Sequence, residues 1–176
     1  MDEEVRTREE TRVIREVYSD ENSTDNFELE LEGALEAGVK YIVIEPTKLG
    51  EETNRWIRVG NCLHKTSVLS GLAALLLPQL LPDSIPVGLY LSIPSAMMCT
   101  GCATLYGISW QFDPCCKYQV TTDSRELSRL NVRNLTNPSP VVLVRKDDKY
   151  RKWLHNGMAI LCALYIAKTF EHVLHS

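Results

Sequence analysis

Residues 66–112 read TSVLSGLAALLLPQLLPDSIPVGLYLSIPSAMMCTGCATLYGISWQF, and this stretch carries a single charged side chain, Asp83. Thr66–Pro82 is uncharged over 17 residues and Ile85–Phe112 over 28. At ~1.5 Å per helical residue the first run reaches roughly 25 Å, just short of a ~30 Å hydrocarbon core, and the second overshoots it at roughly 42 Å. The seven leucines of the first run favour insertion by about 0.5 kcal/mol each, before Pro78 and Gln79 subtract their share. A soluble chain of 176 residues has too little mass to cover two such helices. The expected element is a transmembrane helical hairpin, residues 63–112, turning tightly at Asp83 and Ser84 between Pro82 and Pro86.

The charges around it orient it. Lys48, Arg55, Arg58 and Lys65 precede the hairpin, Lys117, Arg125 and Arg129 follow it, and the turn has no base, so both long flanks belong on the positive side of the membrane. Trp56 and Trp110 fall near the boundaries, and Lys65 completes the short first helix by snorkelling outward. Neither run contains an Asp, Glu, Lys, Arg or His, which argues against a pump or an ion-coupled carrier, and the lack of a polar stripe weakens a solute channel. Pro94 is expected to kink the second helix. Ser92, Ala96, Thr100, Ala103 and Gly107 recur at helical spacing, with Ser67 and Gly71 as a second small pair, so these faces allow close backbone approach in lipid. That approach serves contact inside the hairpin or self-association into a homo-oligomer.

The flanks read as two halves of one small α/β domain. Residues 1–10 are a solvated acidic tail; residues 1–32 hold twelve Asp and Glu against four Arg, the wrong chemistry for a presequence. In residues 11–62, TRVIREVY (Thr11–Tyr18) and KYIVIEP (Lys40–Pro46) are strands. Between them Asp25 and Glu28 have capping-box spacing, Phe27, Leu31 and Leu35 line one helical face, and Gly38 is placed to stop the helix. Residues 113–146 partly repeat the pattern: KYQVTT as a strand, DSRELSRL as a short helix, PVVLVR (Pro140–Arg145) as a strand. The fold class is α/β plus membrane helices, with a ferredoxin-like arrangement as the candidate topology and the hairpin inserted in its middle. Residues 147–176 form a final helix from Asp147 or Asp148. Its wholly apolar part, Gly157–Ala167, suits a core or interfacial helix by length, while the bases and Trp153 before it resemble a membrane edge, which makes a third span the alternative.

The blocks KYIVIEPT, RWIRVGNCLHKT, TLYGISWQFDPCCKYQV, LSRL and PVVLVRKDD followed by RKWLHN closely resemble the mitochondrial transmembrane protein eleven family in order and spacing, from about Val13 to Ala167. The first ten residues depart from its Gly, Ser and Arg-rich start, as do details of the first apolar run. The resemblance implies a non-enzymatic, multi-pass mitochondrial membrane protein that controls mitochondrial shape and cristae as a scaffold. It places the chain in the inner membrane, with the outer membrane as the alternative. The partners it implies are the lipid bilayer and subunits of the contact-site and cristae-organising machinery; no cofactor and no nucleic acid are expected.

Six cysteines bear on the competing class, a thiol-dependent membrane oxidoreductase or metal-handling protein. Cys99 and Cys102 (CTGC) have redox or zinc spacing, but a thiolate pair facing lipid is strongly disfavoured. Joining them to Cys115 and Cys116 in one zinc site would span some twenty ångströms, thirteen residues at ~1.5 Å each, within one straight helix. Cys115 and Cys116 are read as interfacial thiols at a sharp helix exit, where Pro114 ends the helix; they are reduced if the flanks face matrix or cytosol, and open to acylation on the outer-membrane reading. His64, His155, His172 and His175 read as lone interfacial histidines. The glycosylation patterns at Asn22 and Asn134 are silent in a mitochondrion.

Overall fold

The computed structural model describes residues 10–15, 23–81, 87–121, 130 and 140–175. Its elements in chain order are β1 (Thr11–Ile14), α1 (Ser23–Ala37), β2 (Tyr41–Ile44), α2 (Thr47–Leu80), α3 (Val87–Ser109), a 3-10 turn (Pro114–Lys117), β3 (Tyr118–Thr121), β4 (Val141–Arg145) and α4 (Lys149–His175). The acidic tail up to residue 9, the hairpin turn, the glycosylation-pattern residues Asn22 and Asn134 and the expected 123–130 helix, apart from Leu130, lie outside the described residues.

The chain forms two compact units, residues 1–58 with 114–147 and residues 59–113 with 148–176. In the first, the four strands run in the order β1-β2-β4-β3. The pairing β1 to β2 is parallel, with Thr11 opposite Tyr41, and β4 pairs antiparallel with both β2 and β3, with Ile42 opposite Leu143 and Val120 opposite Leu143. The ferredoxin-like expectation is thereby corrected. A parallel pair needs a crossover, and α1 supplies one short enough to return β2 directly beside β1, where the ferredoxin-like order would insert another strand between them.

Apolar alternation in these strands supplies two small cores. Ile14, Ile42, Ile44, Tyr118 and Leu143 pack with Leu31, Ala34 and Leu35 of α1 and with Ile57, and Phe27 lies against them; the expected helical face is the buried one. Val43 and Val142 cover the opposite face with Leu130. Asp25 does not cap α1, because the helix already runs from Ser23. Gly38 does stop it: its φ is +65°, its N–H donates to Leu35 O at 3.2 Å, and an Arg145 guanidinium N–H donates to its carbonyl. A side chain there would be strained by that φ and would meet Arg145 Nη1 at 2.6 Å. Gly38→Ala is therefore expected to lose about 1–2 kcal/mol, read as a lower denaturant midpoint in the intact protein.

The second unit is a three-helix arrangement. Residues 59–80 of α2 run antiparallel to α3, because the points of approach step in opposite directions: Gly60 to Trp110, Ser67 to Cys99, Gly88 to Pro78. Residues of α4 step oppositely along α3, His155 to Ala103 and Tyr165 to Ser92, and in the same sense as α2, Arg151 to Asn61 and Cys162 to Gly71. The apolar interior is Ala74, Ala96, Cys99, Met158 and Cys162. Three expectations change here. The first apolar run is the end of one continuous 34-residue helix, so the segment Thr47–Lys65, left without an element in the sequence, is helical. Among the described residues one helix, Tyr90–Ser109, is long and apolar enough to cross a membrane unaided. And α3 ends at Ser109, ahead of Pro114, where the Trp110 and Gln111 N–H groups both donate to Tyr106 O at 2.9 Å.

Candidate functional site

Small side chains matter on a helix only where another backbone comes close. Ser67 is fully buried and donates to Cys99 O at 3.0 Å. Ser92, also fully buried, shares a hydroxyl hydrogen bond with Tyr165 at 2.8 Å. Ala96 and Ala103 are buried on the same side of α3. Gly71 faces Met158 Cε, Cys99 Sγ and Cys162 Sγ so closely that a Cβ would sit 2.8, 2.9 and 3.3 Å from them. These five positions lie in the interior of the three-helix unit. Thr100 and Gly107 lie off it: the Thr100 hydroxyl donates to Ala96 O of its own helix, and the space beside Gly107 holds only the Gln111 amide.

Hydroxyls on the outer surfaces follow a pattern with chemical meaning. Ser70, Ser95, Thr104 and Thr169 each donate to the carbonyl four residues earlier at 2.6–2.9 Å. Such back-bonding satisfies a hydroxyl without water. Beside these residues the outward face is apolar: Leu69, Leu72, Leu76 and Leu80 on α2, Met97, Met98, Leu105 and Ile108 on α3, and Ile160, Leu161 and Leu164 on α4 are all exposed.

The cysteines do not assemble as a single centre. Cys116 is buried and Cys115 packs against the core of the α/β unit from the 3-10 turn, so they are part of a folded core there. Cys102 is half-buried and Cys62 exposed. Cys99 meets Cys162, a contact between helices that local spacing does not reveal, since 63 residues separate them. Among the described residues no three His, Cys, Asp or Glu side chains gather in ligand geometry.

Two of the histidines, read from sequence as lone, meet. The His64 and His155 rings stack at 5.4 Å, and Tyr106 tilts over His155 at 4.7 Å. His155 is 1% exposed, with Nε2 3.4 Å from Ala103 O and, among the described residues, no partner for Nδ1. Arg151 donates to Asn61 Oδ1 at 2.6 Å, while Lys152 is occupied by Asp148 at 2.7 Å. The signal for this meeting was present: each histidine stands just before an uncharged run, so parallel helices bring them to one level. Trp110, expected at a lipid boundary, is instead buried against Gly60, whereas Trp153 is 75% exposed.

A family profile described as mitochondrial morphogenesis regulator matches residues 10–171. Among curated proteins the chain is 58% identical over 156 residues to transmembrane protein 11-B, mitochondrial, of Xenopus laevis, covering 89% of this chain and 82% of the relative. It is 58% identical to the Rattus norvegicus transmembrane protein 11, mitochondrial (89% and 81% covered) and 57% identical to that of Homo sapiens (89% and 80%). No solved structure matches.

Proposed function

The chain belongs to the mitochondrial morphogenesis regulator family, and from that premise we propose that it is a non-enzymatic scaffold of the mitochondrial inner membrane. In this reading it shapes mitochondria and cristae beside the contact-site and cristae-organising machinery. The family supports a role in mitochondrial morphology, and the curated relatives are mitochondrial transmembrane proteins. The finer statement, scaffold and inner membrane, is our reading.

One observation carries the topology. Strand β2 precedes α2 and α3 in the chain, β3 and β4 follow them, and β2 pairs with β4. Strands on opposite faces of a bilayer cannot share hydrogen bonds, so the chain between Ile44 and Val141 crosses an even number of times. If α3 crosses, the apolar end of α2 crosses with it, which restores the expected hairpin. Helix α4 lies alongside α3 from Ala103 to Ser92 and therefore shares its depth, and its outward Ile160, Leu161 and Leu164 suit lipid. Three crossings follow, with the folded α/β mass on one face. That asymmetry, together with a short first crossing beside a longer second one, perturbs local bilayer thickness and shape.

Complementation of cells lacking the protein tests the function. Wild type and a variant with Cys99→Ala, Cys102→Ser, Cys115→Ser and Cys116→Ser are both expected to restore cristae. If the cysteine variant inserts normally yet fails to restore them, thiol chemistry replaces the scaffold reading.

A further inference from the structure

The corner where α2 and α4 enter their apolar segments carries a positive charge that the described residues leave uncompensated. Arg151 is half-buried, its guanidinium fixed at 2.6 Å on the neutral amide oxygen of Asn61, and among the described residues no carboxylate lies within ion-pair distance of it. Lys65, exposed, follows His64, whose ring stacks on His155 one turn beyond Arg151. The nearby acid, Asp148, is taken by Lys152 at 2.7 Å. A half-buried cation held by a neutral oxygen retains a strong demand for an anion.

The same corner adjoins a surface of the opposite character. Leu154, one turn beyond Arg151 on α4, and Leu69, one turn beyond Lys65 on α2, are both exposed. An occupant that satisfies both demands has a phosphate at one end and hydrocarbon at the other. We propose that Asn61, His64, Lys65 and Arg151 form a headgroup site for an anionic phospholipid, whose phosphodiester is held by Arg151 and Lys65 while its acyl chains lie along Leu69 and Leu154. Basic pockets between membrane helices take anionic headgroups in this way. A zwitterionic lipid presents the same phosphate but adds an ammonium, which this corner repels. The site rests on the membrane reading given above.

Spin-labelled lipids test it on the full chain reconstituted in phosphatidylcholine vesicles. The immobilised fraction of labelled phosphatidylglycerol is expected to exceed that of labelled phosphatidylcholine by about fivefold or more for two cations near the surface. Arg151→Gln and, separately, Lys65→Gln should each cut that preference severalfold, whereas Lys168→Gln, at the other end of α4, should leave it unchanged. Lys65 is exposed and its replacement leaves packing alone, so folding does not confound the result. Glycerophosphate added to the vesicles should not displace labelled phosphatidylglycerol from the unmutated protein; if it does, the site takes free phosphate and the lipid assignment falls. Equal immobilisation of the two lipids, or equal loss in Lys168→Gln, overturns the proposal. A chain that fails to insert at all sinks the membrane reading instead, which the labelled phosphatidylcholine signal reports separately.

Discussion

Replacing Gly71 with leucine is expected to destabilise the three-helix unit by about 3 kcal/mol or more, at the upper end of what overpacking costs. The first added carbon already meets Cys99 Sγ at 2.9 Å and Met158 Cε at 2.8 Å. The methionine end can swing away. The two cysteine sulfurs cannot, being one bond from the Cβ atoms of α3 and α4, so three more carbons force the helices apart and break the Ser67 to Cys99 O hydrogen bond. Gly101→Leu is the matched control: nothing lies within 4 Å of that position, and an outward leucine should change stability by under about 0.5 kcal/mol. Thermal unfolding of the purified protein in detergent checks both, and a Gly71→Leu protein that melts like the wild type refutes the packing described.

Protease protection should give an all-or-none result. With three crossings, a tag at Met1 and a tag at Ser176 lie on opposite sides of one membrane. In mitoplasts, protease should remove one tag completely and spare the other; with two crossings both share one fate. The inner-membrane proposal adds that both tags survive in intact mitochondria. Loss of a tag without rupture of the outer membrane assigns the protein to that membrane. A site engineered at Gly33, in the helix that joins β1 to β2, and one at Lys146, next to β4, must share a fate, since β1, β2 and β4 belong to one hydrogen-bonded sheet.

Local chemistry announced part of this architecture and concealed the rest. Gly38, the α1 face of Phe27, Leu31 and Leu35, and the strands around Ile42 and Leu143 were legible because each is written in a few consecutive residues. Strand order was not, since nothing in KYIVIEP states that it lies between TRVI and VVLVR. The helix over Thr47–Lys65 escaped notice for a physical reason. Its inner side includes Thr53, Ile57 and Gly60, its outer side Glu51, Glu52, Arg55 and Arg58, so the buried stripe is too small and polar to register as hydrophobic periodicity. The pair Cys99 with Cys162 depends on a third helix whose apolar part was short; only its packing against α3 made them neighbours. The inward and outward small residues, Ala96 and Gly101 for example, look alike in sequence and differ only in what stands opposite.

The pairing of Tyr41 with Val144 and of Ile44 with Val141 also sets a timetable for biogenesis. A ribosome that has released β2 must deliver roughly a hundred further residues, hydrophobic helices included, before the neighbouring strand exists, and contacts so distant along the chain close slowly. Until then β2 keeps one row of amide and carbonyl groups bare, an aggregation-prone edge. Completion of the sheet thus waits on synthesis of everything between its strands, and a chain halted earlier keeps an unfinished rim.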